Sequence, residues 1–190
     1  MKEQHWRRTL QSALAEERAI AIPDEFNRVF QRNHALVFRT AYRITGNAAD
    51  AEDVSQMVFL RLFRREAGSP TLENEESYLR RAAINAALDV IRSRQSDRTV
   101  ELTELPAEPA QEDPRELRQA LGRALAQLKP RPAEIFALRF LEGFSNPRIA
   151  RMLGISQVLV AVIVHRTRQQ LRKELRPYLS PRIQETGHEE

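Results

Sequence analysis

A chain of 190 residues, 42% hydrophobic and 29% charged, has room for one ordinary domain or two small ones and is not disordered overall. Lys and Arg outnumber Asp and Glu by 30 to 26, a formal charge of +4 that matters only where it is unevenly placed. With no cysteine, disulfides, thiolate zinc sites and cysteine nucleophiles are excluded, which fits a reducing cytosol. His5, His34, His165 and His188 stand without ligand spacing, so neither a metal nor a cofactor is expected.

The opening MKEQHWRRTL has no long apolar stretch, so the sequence is expected to carry no secretory signal and no membrane span and to act in the cytoplasm. Residues 1–23 form an N-terminal extension with an amphipathic run around Leu10, Leu14 and Ile20. From about Asp24, the residues Phe26, Val29, Phe30, Val37, Ala41 and Ile44 recur at helical spacing and predict one buried stripe. Gly46 stops that helix, Asn47 caps a second, and Val54, Val58 and Leu62 point inward from it. Asp50, Asp53, Gln56 and Phe59, three apart, predict a ribbon of acid, amide and aromatic side chains facing away from the core, with Leu60 beside it. Acids at a helix start also suit the positive end of its dipole, so a merely solvated face accounts for part of this pattern. An exposed aromatic next to them suggests docking.

Gly68, Ser69 and Pro70 lead into a polar loop, LENEES, and then a third helix from about Glu76 to Arg94. Its predicted inward face is Leu79, Ala82, Ala86 and Val90. Outward, Arg81, Asn85, Asp89 and Arg92 form a stripe that Arg80, Arg94 and Arg98 thicken, with Tyr78 as a stacking surface beside it. Such a stripe can hold a phosphate backbone, although charged helix faces are more often plain solvation. Residues 97–114, with Pro106, Pro109 and Pro114 among Glu101, Glu104, Glu108, Glu112 and Asp113, read as a flexible acidic linker.

Residues 115–177 make a second helical module, followed by a tail over 178–190. Leu117, Leu121, Leu125 and Leu128 repeat every three or four residues, and Pro130 with Pro132 breaks that helix before another containing Ile135, Leu138 and Leu141. Gly143 ends it, Ser145 caps a short helix through Ile149 and Leu153, Gly154 turns the chain, and Ser156 caps a long final helix. Short helix, glycine turn and capped longer helix is a helix-turn-helix arrangement, whose second helix normally enters the major groove. The fold class is therefore all-α, with two helical domains: a bundle over 24–96 and a helix-turn-helix domain after the linker.

The runs NAADAEDVSQMVFLRLFRR and ESYLRRAAINAALDVIRSR resemble region two of bacterial RNA polymerase sigma factors of the sigma-70 family, in the compact extracytoplasmic-function group. LKPRPAEIFALRFLEGFSNPRIARMLGIS resembles region four of the same family, and the likeness covers Asp24 to Arg176 in the family's order of modules. The resemblance implies a transcription initiation factor that directs polymerase core to promoters. Asp50, Asp53, Gln56, Phe59 and Leu60 would then bind a coiled coil of the largest subunit. The segment Glu73 to Ser77 with Tyr78, Arg80, Arg81, Asn85, Arg92 and Arg94 would melt the minus-ten element and capture a flipped base of the non-template strand. Tyr78 replaces the family's usual tryptophan and keeps an aromatic face. The second module would read the minus-thirty-five element through Ser156, Gln157, His165, Arg166 and Arg168 and pack on the polymerase flap. An anti-sigma factor is a further partner the resemblance allows.

One stretch departs from the family. Where polar glycine, threonine, lysine, serine and arginine positions are usual, this chain has Val158, Leu159, Ala161, Val162 and Ile163. Val160, Val164, Thr167 and Leu171 can fill the core stripe, which leaves Val158, Ala161 and Val162 towards DNA. Valine touches a thymine methyl but cannot donate to a phosphate or a guanine edge, so sequence-specific minus-thirty-five reading is not expected. The apolar face is read as a protein-docking surface, a sign that specificity has moved to the minus-ten side, or a seam between the modules. A sigma-like adaptor and an ordinary helix-turn-helix regulator remain alternatives. No paired carboxylates in a cleft pattern, nucleophile motif or phosphate-cradling glycine loop points to an enzyme.

Overall fold

The computed structural model describes residues 24–64, 74–100 and 114–179. The expectations for the N-terminal extension, for Gly68 to Glu73, for most of the acidic linker and for the tail beyond 179 lie outside these residues. Every regular element among the described residues is helical.

Helix α1, Asp24–Thr45, ends at Gly46, whose φ of +65° favours glycine. Asn47 then takes the N-cap of α2, Ala48–Phe63, with its side chain accepting from the Asp50 amide at 3.2 Å. In the same way Asn74 Oδ1 accepts from the Ser77 amide at 2.9 Å at the start of α3, Glu75–Val100. Helix α3 runs six residues past the expected end at Arg94, because nothing between Gln95 and Val100 breaks it and the first proline is Pro106.

The second module contains α4, Pro114–Gln127, and α5, Pro130–Phe136, which passes into a π-helical turn over Ala137–Leu141. The Glu142 amide closes that turn onto the Ala137 carbonyl at 3.0 Å. Gly143 follows at φ +74°. Then come α6, Asn146–Leu153, the left-handed Gly154, α7, Gln157–Glu174, and the short α8, Arg176–Leu179. Ser156 caps α7 as expected, accepting from the Leu159 amide at 3.2 Å, whereas Ser145 occupies the N-cap of α6 without a side-chain bond. Helices α6 and α7 meet at 111°, within the helix-turn-helix range.

The chain divides into two compact units, Met1–Arg32 and Asn33–Glu190. Both sequence modules from Asn33 onwards therefore share one unit. Helix α3 is its centre, packing on α2 and also on α4 and α5. This two-sided contact corrects the expected inward face: Leu79 and Ala86 are buried, but so are Ala83, Ile84, Ala87 and Leu88, while Ala82 and Val90 are only half-buried. A single-stripe reading cannot see burial on a second side. Val37, Ala41, Ile44, Val54 and Val58 of the first module, and Leu125, Leu128, Ile135, Leu138, Ile149 and Val160 of the second, are buried as their spacing predicts. Phe26, Val29 and Phe30 are half-buried.

Candidate nucleic-acid interface

Helix α2 separates into faces differently from the ribbon read off its sequence. Asp53 and Gln56 are exposed and Leu60 is 52% exposed, but Asp50 and Phe59 are buried. Each step of three residues turns about 300° in an α-helix, so three such steps carry Phe59 about 180° away from Asp50 and no single face holds all four. Asp50 instead pairs its Oδ1 with Arg94 of α3, and its Oδ2 has no hydrogen-bond partner. The outward row is Asp53, Gln56 and Leu60, an acid, an amide and an apolar side chain at helical spacing.

On α3 the six nominated residues meet three different fates. Tyr78 is exposed at the start of the helix. Arg94 is taken by Asp50. Arg80, Arg81, Asn85 and Arg92, expected to stand outward, all touch the second module, and Arg80, Arg81 and Arg92 are half-buried there.

Two carboxylates of the second module organise that contact. Glu134 of α5 has a side chain only 5% exposed; its Oε1 accepts from Arg81 Nε at 2.8 Å and from Asn85 at 3.5 Å, and its Oε2 accepts from Arg131 at 2.9 Å. Glu142, directly after the π turn, has a side chain 1% exposed. It accepts from Thr40 at 3.1 Å and Arg43 at 2.9 Å, both of α1, and its other oxygen pairs with Arg80. A buried carboxylate is tolerable only when paired and hydrogen-bonded, and each of these is.

Cationic groups also close the end of α6. Arg81 reaches the Met152 carbonyl at 3.3 Å and Arg131 the Leu153 carbonyl at 2.9 Å, where the helix dipole is negative. The Arg80 and Arg148 guanidiniums lie 5.4 and 4.0 Å from the centre of the Phe144 ring. Arg92 donates to the Leu128 carbonyl at 3.4 Å and to Asp89 at 3.0 Å.

The π turn explains how Glu134 and Glu142 serve one helix. Eight residues of unbroken α-helix would set them about 80° apart, and one extra residue in a wide turn reduces this to about 20°. The signal that could have found Glu134 was in the sequence: it interrupts the apolar run around Ala133, Ile135 and Leu138, and a charge there needs a partner.

On α7, Val160, Thr167 and Leu171 are buried and Val164 half-buried, so the expected core stripe is largely as read. Val158 is 73% exposed and Leu159 45%, with Ala161 and Val162 also exposed. This excludes the third reading of the apolar face, since a seam between the modules would bury these side chains; the seam is at α3, α4 and α5 instead. Ser156, Gln157, His165, Arg166 and Arg168 are exposed along the same helix.

Two helical modules in this order, the second ending in a helix-turn-helix, are those of the sigma-70 proteins: the Sigma-70 region 2 family model matches residues 29–97 and the Sigma-70, region 4 model residues 118–171. The ECF RNA polymerase sigma factor SigE of Mycolicibacterium smegmatis is 35% identical over 167 residues, spanning 80% of this chain and 63% of that protein. SigL of Mycobacterium tuberculosis, also an ECF RNA polymerase sigma factor, is 32% identical over 153 residues, spanning 77% of this chain and 86% of that one. The sigma factor RpoE of Bartonella quintana, solved in complex with the anti-sigma factor NepR, aligns with 80% of this chain and 97% of its own at 21% identity and a TM-score of 0.47. The chain belongs to the ECF RNA polymerase sigma factors. Among the described residues no single helix is long and apolar enough to cross a membrane, and no group of His, Asp and Glu could hold a metal ion.

Proposed function

We propose that this chain is a transcription initiation factor that binds RNA polymerase core, brings it to promoters in the cytoplasm and opens the minus-ten element without performing chemistry itself. Its docking residues on α2 are Asp53, Gln56 and Leu60. Tyr78 stacks on an exposed base, and Arg80, Arg81 and Asn85 hold the open strand. Exposing a base costs a few kcal/mol, so the factor must bind the open strand better than the duplex. Arginines supply backbone affinity without sequence preference, while the aromatic and the segment before it choose the base.

The observation that carries this reading is the exposed row Asp53, Gln56 and Leu60 on α2, beside a helix that begins with exposed Tyr78, in a chain of this family. Run-off transcription reconstituted with purified core tests it. Promoter-dependent product is expected only when the chain is present, and its absence with both components folded overturns the reading.

A second reading has one observation in its favour. Exposed Val158, Leu159 and Val162 stand where base contacts are usual, which favours an adaptor brought to upstream DNA by a protein partner, an anti-sigma factor or an activator, over a reader of the minus-thirty-five element. Exposed His165, Arg166 and Arg168 keep backbone contact available.

A further inference from the structure

We propose that the exposed face of α7 is a lipid-binding surface, which seats the chain on a bilayer of anionic headgroups with Val158, Leu159 and Val162 inserted. The inference does not rest on the initiation-factor reading, and it names a lipid surface, in place of a protein, as what covers the apolar end of the helix.

That face has two chemically different ends. At about 100° per residue, Val158, Leu159, Val162, Arg166, Arg172 and Lys173 fall within an arc of about 140°, opposite the buried Val160, Thr167 and Leu171. The first turns of the arc are aliphatic and the last are cationic. Val158, the most exposed of them, stands out from the first turn of the helix.

Charge says what such a face fits. Between Glu142 and Glu174 the chain has no acidic side chain, while Arg148, Arg151, Arg166, Arg168, Arg172 and Lys173 are all exposed. Six cations without an acid exceed the +4 of the whole chain, so this stretch complements a polyanion. Duplex DNA supplies the charge, but the thymine methyl is the one apolar group its major groove offers. A bilayer supplies both at once: phosphates at headgroup level for the guanidiniums, and an acyl boundary about 5–10 Å deeper for the aliphatic end. A protein partner would need an apolar pocket and an acidic row at matching spacing, whereas lipid closes round any protruding side chain.

The geometry fits a helix that lies on the bilayer and does not cross it. Taken together α6 and α7 have the apolar composition of a membrane segment, but they meet at 111°. Their other sides are held in the core through Ile149, Leu153, Val160 and Leu171. A face seated on lipid is withdrawn from upstream DNA, so the bilayer and a DNA backbone are alternative ligands for Arg166 and Arg168.

The test sediments the full chain, at near-physiological salt, with vesicles of phosphatidylglycerol and phosphatidylcholine in equal parts, and with vesicles of phosphatidylcholine alone. The chain is expected to sediment with the first and not with the second. Val158→Ser with Leu159→Ser, whose folding is checked by thermal melting, is expected to weaken binding at least about tenfold. Arg166→Gln with Arg172→Gln is expected to weaken it at least about fivefold. Because the chain has no cysteine, Val162→Cys takes a single polarity-sensitive dye, whose emission moves to the blue on the anionic vesicles as that position enters the acyl boundary.

Three results overturn the proposal. No sedimentation with the anionic vesicles leaves the face to an acidic protein partner. Serine variants that bind as tightly as wild type reduce the contact to charge, which any polyanion shares. An unshifted dye on sedimented chain shows that α7 stays outside the bilayer and that another basic part of the chain makes the contact.

Discussion

Arg81 of α3 donates from Nε to Glu134 of α5 at 2.8 Å while another of its nitrogens reaches the Met152 carbonyl at the end of α6, so one side chain ties α3 to the helix-turn-helix. The sequence marks Arg81 for DNA, and its position marks it equally for the second module. Its substitution therefore has two effects that need separate measurements. Arg81→Ala with Asn85→Ala is expected to spare binding to polymerase core and to reduce open-complex formation, followed as permanganate reactivity of promoter thymines. Undiminished reactivity would contradict the strand-holding role.

The docking proposed for α2 and its folding rest on different side chains. Asp53→Arg with Gln56→Ala changes only exposed side chains and is expected to abolish co-purification with polymerase core while leaving thermal stability within about 0.5 kcal/mol. Phe59→Ala empties a buried site and is expected to cost about 3–5 kcal/mol in urea unfolding, whatever it does to docking. A stable Phe59→Ala protein would show that its ring is not part of the core.

The role proposed for Tyr78 needs its ring and not its hydroxyl. Base stacking on an aromatic is worth about 1–3 kcal/mol, so Tyr78→Ala is expected to weaken open complexes by about fivefold or more, and Tyr78→Trp to match or exceed wild type. The half-life of heparin-resistant complexes measures both. Equal half-lives for the alanine and tryptophan variants would rule out stacking.

Upstream reading should be nearly absent. Val158, Leu159 and Val162 offer no hydrogen bonds where a recognition helix would use them, so scrambling the minus-thirty-five sequence is expected to change run-off yield by less than about threefold, under the roughly 1–3 kcal/mol that a single good base contact discriminates. A loss of tenfold on scrambling would mean that α7 reads bases by some other residues. Val158→Ser and Leu159→Ser, being exposed, should leave the melting temperature unchanged.

The turn between α6 and α7 has its own costs. Gly154 sits at φ +62° with open space around it, so Gly154→Ala meets no clash but a left-handed backbone, an expected loss of about 1–2 kcal/mol. Ser156→Ala removes the α7 cap for about 1 kcal/mol. Ile135→Ala, in the buried centre of the second module, should cost about 2–5 kcal/mol. Chemical denaturation that ranked Ser156→Ala above Ile135→Ala would overturn this picture of the core.

By itself the sequence determined the all-α class, the caps at Asn47 and Ser156, the turns at Gly46 and Gly154, the buried stripe of α1 from Val37 onwards, most of that of α7 and the family, because each depends on residues within a few positions of one another. The exposed valines of α7 were legible for the same reason. Local pattern misplaced Asp50 and Phe59 because a spacing of three is not one face of a helix with 3.6 residues per turn. Only the tertiary structure decided that Arg80 and Arg81 meet Glu142 and Glu134, which lie 62 and 53 residues further along the chain. No helical period encodes such a separation: the pairing exists because α3 is buried on two sides, and which carboxylates reach it depends on a π turn whose extra residue is visible only once the backbone is in place.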